Sequence, residues 1–392
     1  MKKAFTLFIL AILAFSLNAQ TLKTLTWGGQ TREYLEYVPS TYSEETPAPV
    51  LFMLHGLGDQ ATNFFNTTNI STIAERKGWI VVCPQATPFN FQIPGMGGYN
   101  FGTSWSAGVT VTVFIEMYGM PFNFDVTVNP DADDSGFLME TLNVLSEEYN
   151  LSQDSIFFAG FSLGACMSHR MAIEHGERIN AIAAVSGVVG NDMDEMTPTA
   201  NLNVLEVFGT NDEMISYENA EVSLQSYGTH SIGLPAEATV EYWRAYNQCD
   251  ENPVFEEYPN IQNDGLTFEM YSYLNGNNDS RVAFLKVNHG LHRWYTGGSY
   301  DIDYTEEIAR FFTGTIDVTD VNEKPETNLT VYPNPASNFI YVTTQGEVSI
   351  YDLCGKLVLQ SMGTCRIDVS LLPNGMYFVK TIDNCNKLII NR

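Results

Sequence analysis

The chain has 392 residues and carries 46 Asp+Glu against 19 Lys+Arg, a formal net charge of −27. That charge repels phosphate backbones and anionic lipid surfaces, which excludes nucleic acid and acidic membranes as favoured partners. The length exceeds one ordinary domain and allows a large buried core.

In chain order, Lys2 and Lys3 precede an apolar run from Ala4 to Leu17, and small residues at Asn18 and Ala19 offer a cleavage point before Gln20. Residues 1–19 therefore read as a secretory signal peptide, with an apolar run too short for a comfortable membrane span. No later segment is long and apolar enough to be expected to cross a membrane. The mature chain is expected to be secreted, and losing the leader removes two lysines and no acid.

Residues 20–312 alternate strand-like and helix-like runs, the pattern of an α/β domain with a mostly parallel central sheet. Strands are expected near 33–38, 50–54, 79–83, 156–160, 181–186, 203–208 and 281–287. A helix follows Asp134, capped by Ser135 and marked by Leu138, Leu142, Leu145 and Tyr149 on one face. Another runs from Thr239 to Gln248. Between Ala86 and Pro130 no helical periodicity emerges, and the region reads as a long loop rich in aromatic residues. There Trp105, Phe101, Phe114, Phe122 and Phe124 would either line a substrate cleft or form a satellite core.

The chemistry is concentrated at loop positions that follow apolar runs. Gly160-Phe161-Ser162-Leu163-Gly164 is a G-x-S-x-G pentapeptide between an apolar run and helix formers. A strand that turns sharply into a helix there leaves the serine hydroxyl exposed, with a helix N-terminus favouring negative charge. The run Pro49–Leu54 ends in His55-Gly56, a loop able to supply an oxyanion amide. Asn203–Phe208 leads to Gly209-Thr210-Asn211-Asp212, and Arg281–Val287 leads to His289 and His292. Ser, Asp and His in that order, each beyond a strand, is the α/β-hydrolase order.

Several rivals share these loops. His289 competes with His292, and Asp192 and Asp194 compete with Asp212 but lack the Gly-Thr-x-Asp loop. His169 and His175 lie on the helix after Ser162 and suit packing or solvent contact, while His55 suits hydrogen bonding that fixes its loop. Asp131-Ala132-Asp133-Asp134-Ser135-Gly136 imitates the start of a calcium loop, yet its twelfth position is Leu142, so no metal site is expected. Cys83, Cys166 and Cys249 fall in the first part and Cys354, Cys365 and Cys385 in the tail, none at metal-site spacing. An odd number in each part leaves a thiol unpaired or a bridge between parts. Cys166, one turn past Ser162, suits a small core residue.

After Phe312 a polar linker is expected over 313–325, followed over 326–392 by a small all-β unit. Its strands are expected at Leu329–Tyr332, Phe339–Thr343, Val348–Leu353, Leu357–Gln360, Arg366–Val369, Met376–Ile382 and Lys387–Ile390, the pattern of a sandwich.

The first part resembles the polyhydroxybutyrate depolymerase and feruloyl/acetyl xylan esterase group of α/β hydrolases, carbohydrate esterase family one. The likeness rests on Leu54-His55-Gly56, Thr103-Ser104-Trp105-Ser106-Ala107-Gly108, Asp133–Leu138, Gly160–Gly164, Gly209–Asp212 and Gly290-Leu291-His292-Arg293-Trp294. It implies Ser162 as nucleophile, Asp212 as triad acid, His292 as base, and the backbone amides of Leu57 and Leu163 as the oxyanion hole, with Trp105 and Trp294 in the binding region and no cofactor. Gly-Leu-His-Arg-Trp-Tyr departs from the family's Gly-His-x-Trp-Pro, and Ala165 stands where a glycine is common.

The tail resembles the C-terminal sorting domain of the type IX secretion system through Tyr332-Pro333-Asn334-Pro335, Ile350-Tyr351-Asp352-Leu353-Cys354-Gly355-Lys356 and Leu372-Pro373-Asn374-Gly375-Met376-Tyr377. It implies the type IX machinery as a partner and export across the outer membrane, to the medium or the cell surface. Together these readings lead to a serine esterase acting on feruloyl or acetyl esters of plant polysaccharide. A polyhydroxyalkanoate depolymerase, a serine peptidase and a non-catalytic glycan-binding protein remain as alternatives.

Overall fold

The computed structural model describes residues 20–93, 97–117, 120–223, 228–314, 331–342, 347–352, 356–362, 366–381 and 385–391. The expected signal peptide and most of the expected linker lie outside the described residues. The chain divides into two compact units, Met1–Thr315 and Ile316–Arg392.

The larger unit runs β1 (Gln20–Trp27), β2 (Gln30–Tyr37), β3 (Ala48–Leu54), α1 (Ala61–Thr68), α2 (Ile70–Lys77), β4 (Ile80–Pro84), β5 (Thr87–Ile93), β6 (Gly97–Ser104), β7 (Thr110–Met117), β8 (Met120–Thr127), α3 (Asp134–Glu148), β9 (Leu151–Phe161) and α4 (Leu163–His175). It continues through β10 (Ala181–Val185), β11 (Asn203–Gly209), β12 (Glu221–Ser223), β13 (Thr229–Ser231), α5 (Ala236–Asn247), β14 (Val254–Glu257), β15 (Thr267–Tyr273), β16 (Val282–Asn288) and α6 (Tyr304–Thr313).

One ten-stranded sheet has the order β1-β2-β4-β3-β9-β10-β11-β16-β15-β14. Its centre, β4-β3-β9-β10-β11-β16, is parallel throughout, and antiparallel strands extend both edges. This is the α/β-hydrolase fold. Both faces are covered, so the central strands read as continuous apolar runs. Along β3, Val50, Phe52 and Leu54 join the core that includes α3, α4 and α5, while Leu51 and Met53 join the core that includes α1, α2 and α6. Every expected strand of this unit exists. The crossovers place the loops after β3, β9, β11 and β16 at the carboxyl edge of the sheet, where α/β proteins bind ligands.

Two local expectations are corrected. The stretch between Ala86 and Pro130 is two antiparallel hairpins, β5–β6 and β7–β8. Period-two patterning there is diluted by Gly, Asn and Pro, which hid the strands. Phe91 meets Phe124 with ring centroids 5.8 Å apart, and Phe89 meets Phe101 at 5.4 Å; the side chains of Phe114 and Phe122 lie outside the described ones. Asp133, not Ser135, caps α3: its carboxylate accepts the Gly136 N–H at 2.9 Å and the Trp27 indole N–H at 3.0 Å. Ser135 instead bonds Glu174 and His175. Asp133 and Asp134 of the imitated calcium loop are structural. Asp134 is fully buried, pairs with Arg32 at 2.6 Å and accepts the Ser106 N–H at 2.7 Å.

The smaller unit contains β17 (Val331–Tyr332), β18 (Phe339–Val342), β19 (Glu347–Tyr351), β20 (Leu357–Met362), β21 (Arg366–Asp368), β22 (Gly375–Lys380) and β23 (Cys385–Ile390). Sheets β17-β18-β21 and β20-β19-β22-β23 enclose one core that includes Ile340, Ile350, Val379 and Leu388. Their paired strands are antiparallel.

Candidate active site

Ser162 stands between β9 and α4 with φ 56° and ψ −122°, a backbone conformation that side chains rarely adopt. Such strain persists only where the surroundings over-determine it. Here the glycines do so: a methyl group on Gly160 would lie 2.1 Å from the Gly164 carbonyl oxygen, and one on Gly164 would lie 2.1 Å from that of Leu54. The turn is therefore compact enough only for glycine at both flanking positions. Ser162 N–H bonds the Val185 carbonyl at 2.8 Å, and its own carbonyl accepts from Ala165 and Cys166. Gly187 lies against Ala165, so the alanine fits because its neighbour lacks a side chain.

The loop after β3 reaches the serine directly, since a methyl group on Gly56 would meet Ser162 Cβ at 3.4 Å. His55 is fully buried beneath it. Its Nε2 accepts the Ala86 N–H at 3.2 Å, which assigns the proton to Nδ1, and Nδ1 donates to the Gly56 carbonyl at 2.8 Å. Burial pushes its pKa down, so the ring is held neutral. Thr103 Oγ1 and Gln85 both reach the Asp59 carbonyl, and Gly58 N–H donates to Thr103. Among the described residues the amides of Leu57 and Leu163 have no acceptor within the protein; for Leu163 this follows from its place at the start of a helix.

Asp212 and His292 come together from two loops. His292 Nδ1 donates to Asp212 Oδ2 at 2.8 Å, with Oδ1 at 3.0 Å. Asp212 Oδ1 also accepts the N–H groups of Met214 at 2.9 Å and Ile215 at 2.8 Å, so the carboxylate is fixed before it meets the imidazole. The ring of His292 packs 4.8 Å from that of Phe161, the residue before Ser162. The rivals are placed elsewhere. His289 is exposed at φ 62°, its N–H on Thr210 Oγ1, and Asp192 accepts from Thr110.

Both tryptophans named for the binding region are buried. Trp105 is wholly buried, and its indole N–H donates to the His55 carbonyl at 2.8 Å. Trp294 is buried against Phe64 and donates to Thr305 Oγ1 at 3.0 Å. An indole with its one donor satisfied inside a core presents little to a ligand. The motif that carries Trp105 therefore braces the loop beside the serine. Sequence reasoning missed three supports, Gln85, Glu213 and Tyr295. Glu213 accepts the His292 N–H at 3.0 Å and Tyr295 accepts that of Leu291 at 2.8 Å; the adjacency of Glu213 to Asp212 was the signal available.

Cys83, Cys166 and Cys249 are free and buried. Burial pushes the Cys166 thiol up to about 12, which leaves it un-ionised and inert. Among the described residues no cluster of His, Cys, Asp or Glu could hold a metal ion, and no helix is long and apolar enough to cross a membrane.

With this geometry in hand, the chain is 23% identical over 288 residues, 71% of its own length and 75% of the relative's, to "Putative esterase NocK" of Nocardia uniformis subsp. tsuyamanensis. The relatives it matches are named as esterases. The bifunctional acetylxylan esterase/xylanase XynS20E of Neocallimastix patriciarum is 24% identical over 200 residues, covering 51% of this chain and 24% of the relative. Feruloyl esterase D of Neurospora crassa is 23% identical over 170 residues, covering 43% and 50%. Residues 330–391 match the model of the Secretion system C-terminal sorting domain, the module that the tail resembles in sequence.

Proposed function

We propose that this protein is an exported serine esterase in which Ser162, His292 and Asp212 form the triad. The observation that carries the reading is the Asp212–His292 pair, joined at 2.8 Å beside a strained serine. His292 Nε2 removes the Ser162 proton as Oγ attacks the ester carbonyl carbon. The amides of Leu57 and Leu163 receive the oxyanion, and the helix N-terminus adds to the stabilisation. The imidazolium returns its proton to the departing alkoxide, leaving an acyl-serine and an alcohol. A water activated by His292 then cleaves the acyl-serine to release the acid and restore the hydroxyl. Asp212 keeps the Nδ1 proton in place and stabilises the imidazolium.

Feruloyl and acetyl esters of plant polysaccharide are the proposed substrates, in keeping with the names of two relatives. Leu57, Met214 and Leu291 are 47%, 58% and 38% exposed, on the three loops that carry the oxyanion amide, the acid and the base. Exposed apolar side chains at these positions favour an acyl group with apolar surface, hence the hydroxycinnamoyl member of the pair. The tail supports export through the type IX machinery, with residues 1–19 acting as the leader.

The test is hydrolysis of methyl ferulate and 4-nitrophenyl acetate beside Ser162→Ala, with fluorophosphonate labelling as a check on the nucleophile. Turnover and labelling in the wild type, both lost in the variant, are expected. Labelling that persists in Ser162→Ala would remove Ser162 from its role, and an inert wild type would overturn the esterase reading.

A further inference from the structure

The loops after β11 and β16 continue the pairing of their strands beyond the sheet. Thr210 N–H donates to the Val287 carbonyl, Asn211 N–H to the Gly290 carbonyl, and His289 N–H to Thr210 Oγ1. Gly209 and Gly290 approach so closely that a methyl group on Gly209 would lie 2.4 Å from the Gly290 carbonyl oxygen. The contact nearest the imidazole is made by a carboxylate. Glu213 Oε2 accepts the His292 N–H at 3.0 Å, and the preceding residue, Asp212, holds the imidazole of that same histidine. Consecutive acids thus grip one residue at its main chain and at its ring.

We infer, on the basis of the serine-esterase reading, that Glu213 is a positioning residue whose carboxylate holds the His292 main chain in register with Asp212. Asp212 fixes the imidazole at Nδ1 beside the Phe161 ring but leaves the main chain that carries it free to shift. The second grip, on the amide one atom from Cα, removes that freedom. The bond fixes where the main chain sits, and its effect on rate comes from the sensitivity of proton transfer to small displacements of the base. Glu213 is exposed, so water competes for the same amide and the effect is smaller than that of a triad member.

Three variants separate this role from a merely structural one. Glu213→Ala is expected to lower kcat for methyl ferulate about tenfold with KM little changed, the signature of a contact that matters in the transition state. Glu213→Gln retains a carbonyl acceptor of similar reach and is expected to stay within about twofold of wild type. Glu213→Asp, one methylene shorter, should behave like the alanine variant. Melting temperatures should agree within about 2 °C, since an exposed side chain contributes little to a domain of this size. Amide exchange in a peptide spanning residues 288–294 reads the bond without reference to chemistry: it should accelerate in Glu213→Ala and not in Glu213→Gln. Unchanged kcat and unchanged exchange in Glu213→Ala, or equal losses in the Gln and Ala variants, would overturn the inference. A wild type that neither turns over ester nor takes the fluorophosphonate label would instead overturn the esterase reading and the positioning role with it, while exchange would still report whether Glu213 holds His292.

Discussion

Two histidine–carboxylate pairs lie along the same strand and differ in everything except their geometry. His292 meets Asp212 at 2.8 Å just beyond the end of β11, and His169, on the helix that follows Ser162, meets Glu206 within β11 at 3.1 Å. In the first pair the carboxylate is held by two backbone amides, and among the described residues nothing in the protein bonds His292 Nε2. In the second, both side chains are fully buried, and His169 Nδ1 accepts the Trp243 indole N–H at 3.1 Å. That acceptor role places the His169 proton on Nε2, pointing at Glu206. With both nitrogens engaged and no solvent in reach, the pair has no site left from which to move a proton. A histidine beside a carboxylate is thus a base only when its other nitrogen is free.

Electrostatics separates the pairs further. Burial pushes the His169 imidazole down to about 3, so it stays neutral near pH 7, and pushes the Glu206 carboxyl well above 4.5, which favours its protonated form. Glu206 holds its proton in the fold at pH values where the unfolded chain has released it. Its contribution is present below the unfolded value of 4.5 and is lost as pH rises through the raised folded value. His169 refuses a proton that the unfolded chain accepts, so its contribution is present above 6.5 and is lost as pH falls toward about 3. The pair therefore disfavours the fold least between the two unfolded values.

The strongest way to break the comparison is Asp212→Asn, which is expected to lower kcat by about 10⁴-fold while the melting temperature hardly moves. Steady-state kinetics with calorimetry checks both halves. Glu206→Ala should show the opposite pattern. It strands the His169 Nε2–H in the core at a cost of about 1–3 kcal/mol, and kcat per folded molecule should be retained. Glu206→Gln sharpens the electrostatic difference. Relative to wild type it should gain up to about 1.4 kcal/mol for each pH unit above 4.5 until the folded carboxyl ionises. Denaturant melts at pH 5 and 8 measure this, and parallel stabilities at the two values would mean that Glu206 is already ionised in the fold. The smallest effect is expected from Trp243→Phe, which removes one neutral hydrogen bond worth about 1 kcal/mol and leaves catalysis intact.

The legibility of the two pairs follows from these environments. Ser162, Asp212 and His292 each stand just beyond an apolar strand, in a glycine-bearing loop with its own local signature, and the geometry joins the last two. Glu206 was unreadable as part of a pair, because one polar residue inside an apolar run carries no mark of its partner on a helix far away in sequence. Trp105 and Trp294 stand beside catalytic motifs in sequence, yet packing buries both indoles and engages their N–H groups inside the protein. Glu213 escaped notice because its role lies in one backbone contact across 79 residues.

Local chemistry in the chain was sufficient for the order of elements, the parallel sheet, the elbow at Ser162 and the seven strands of the tail. These depend on hydrophobic period, turn residues and steric demands among near neighbours, all written into short stretches. Only the tertiary structure decided which histidine meets which carboxylate, which aromatic rings are buried, and that Asp133 caps α3 in place of Ser135. Those outcomes depend on distances between segments far apart in the chain, where desolvation and the competition for a limited number of donors and acceptors select one pairing among several that the sequence permits.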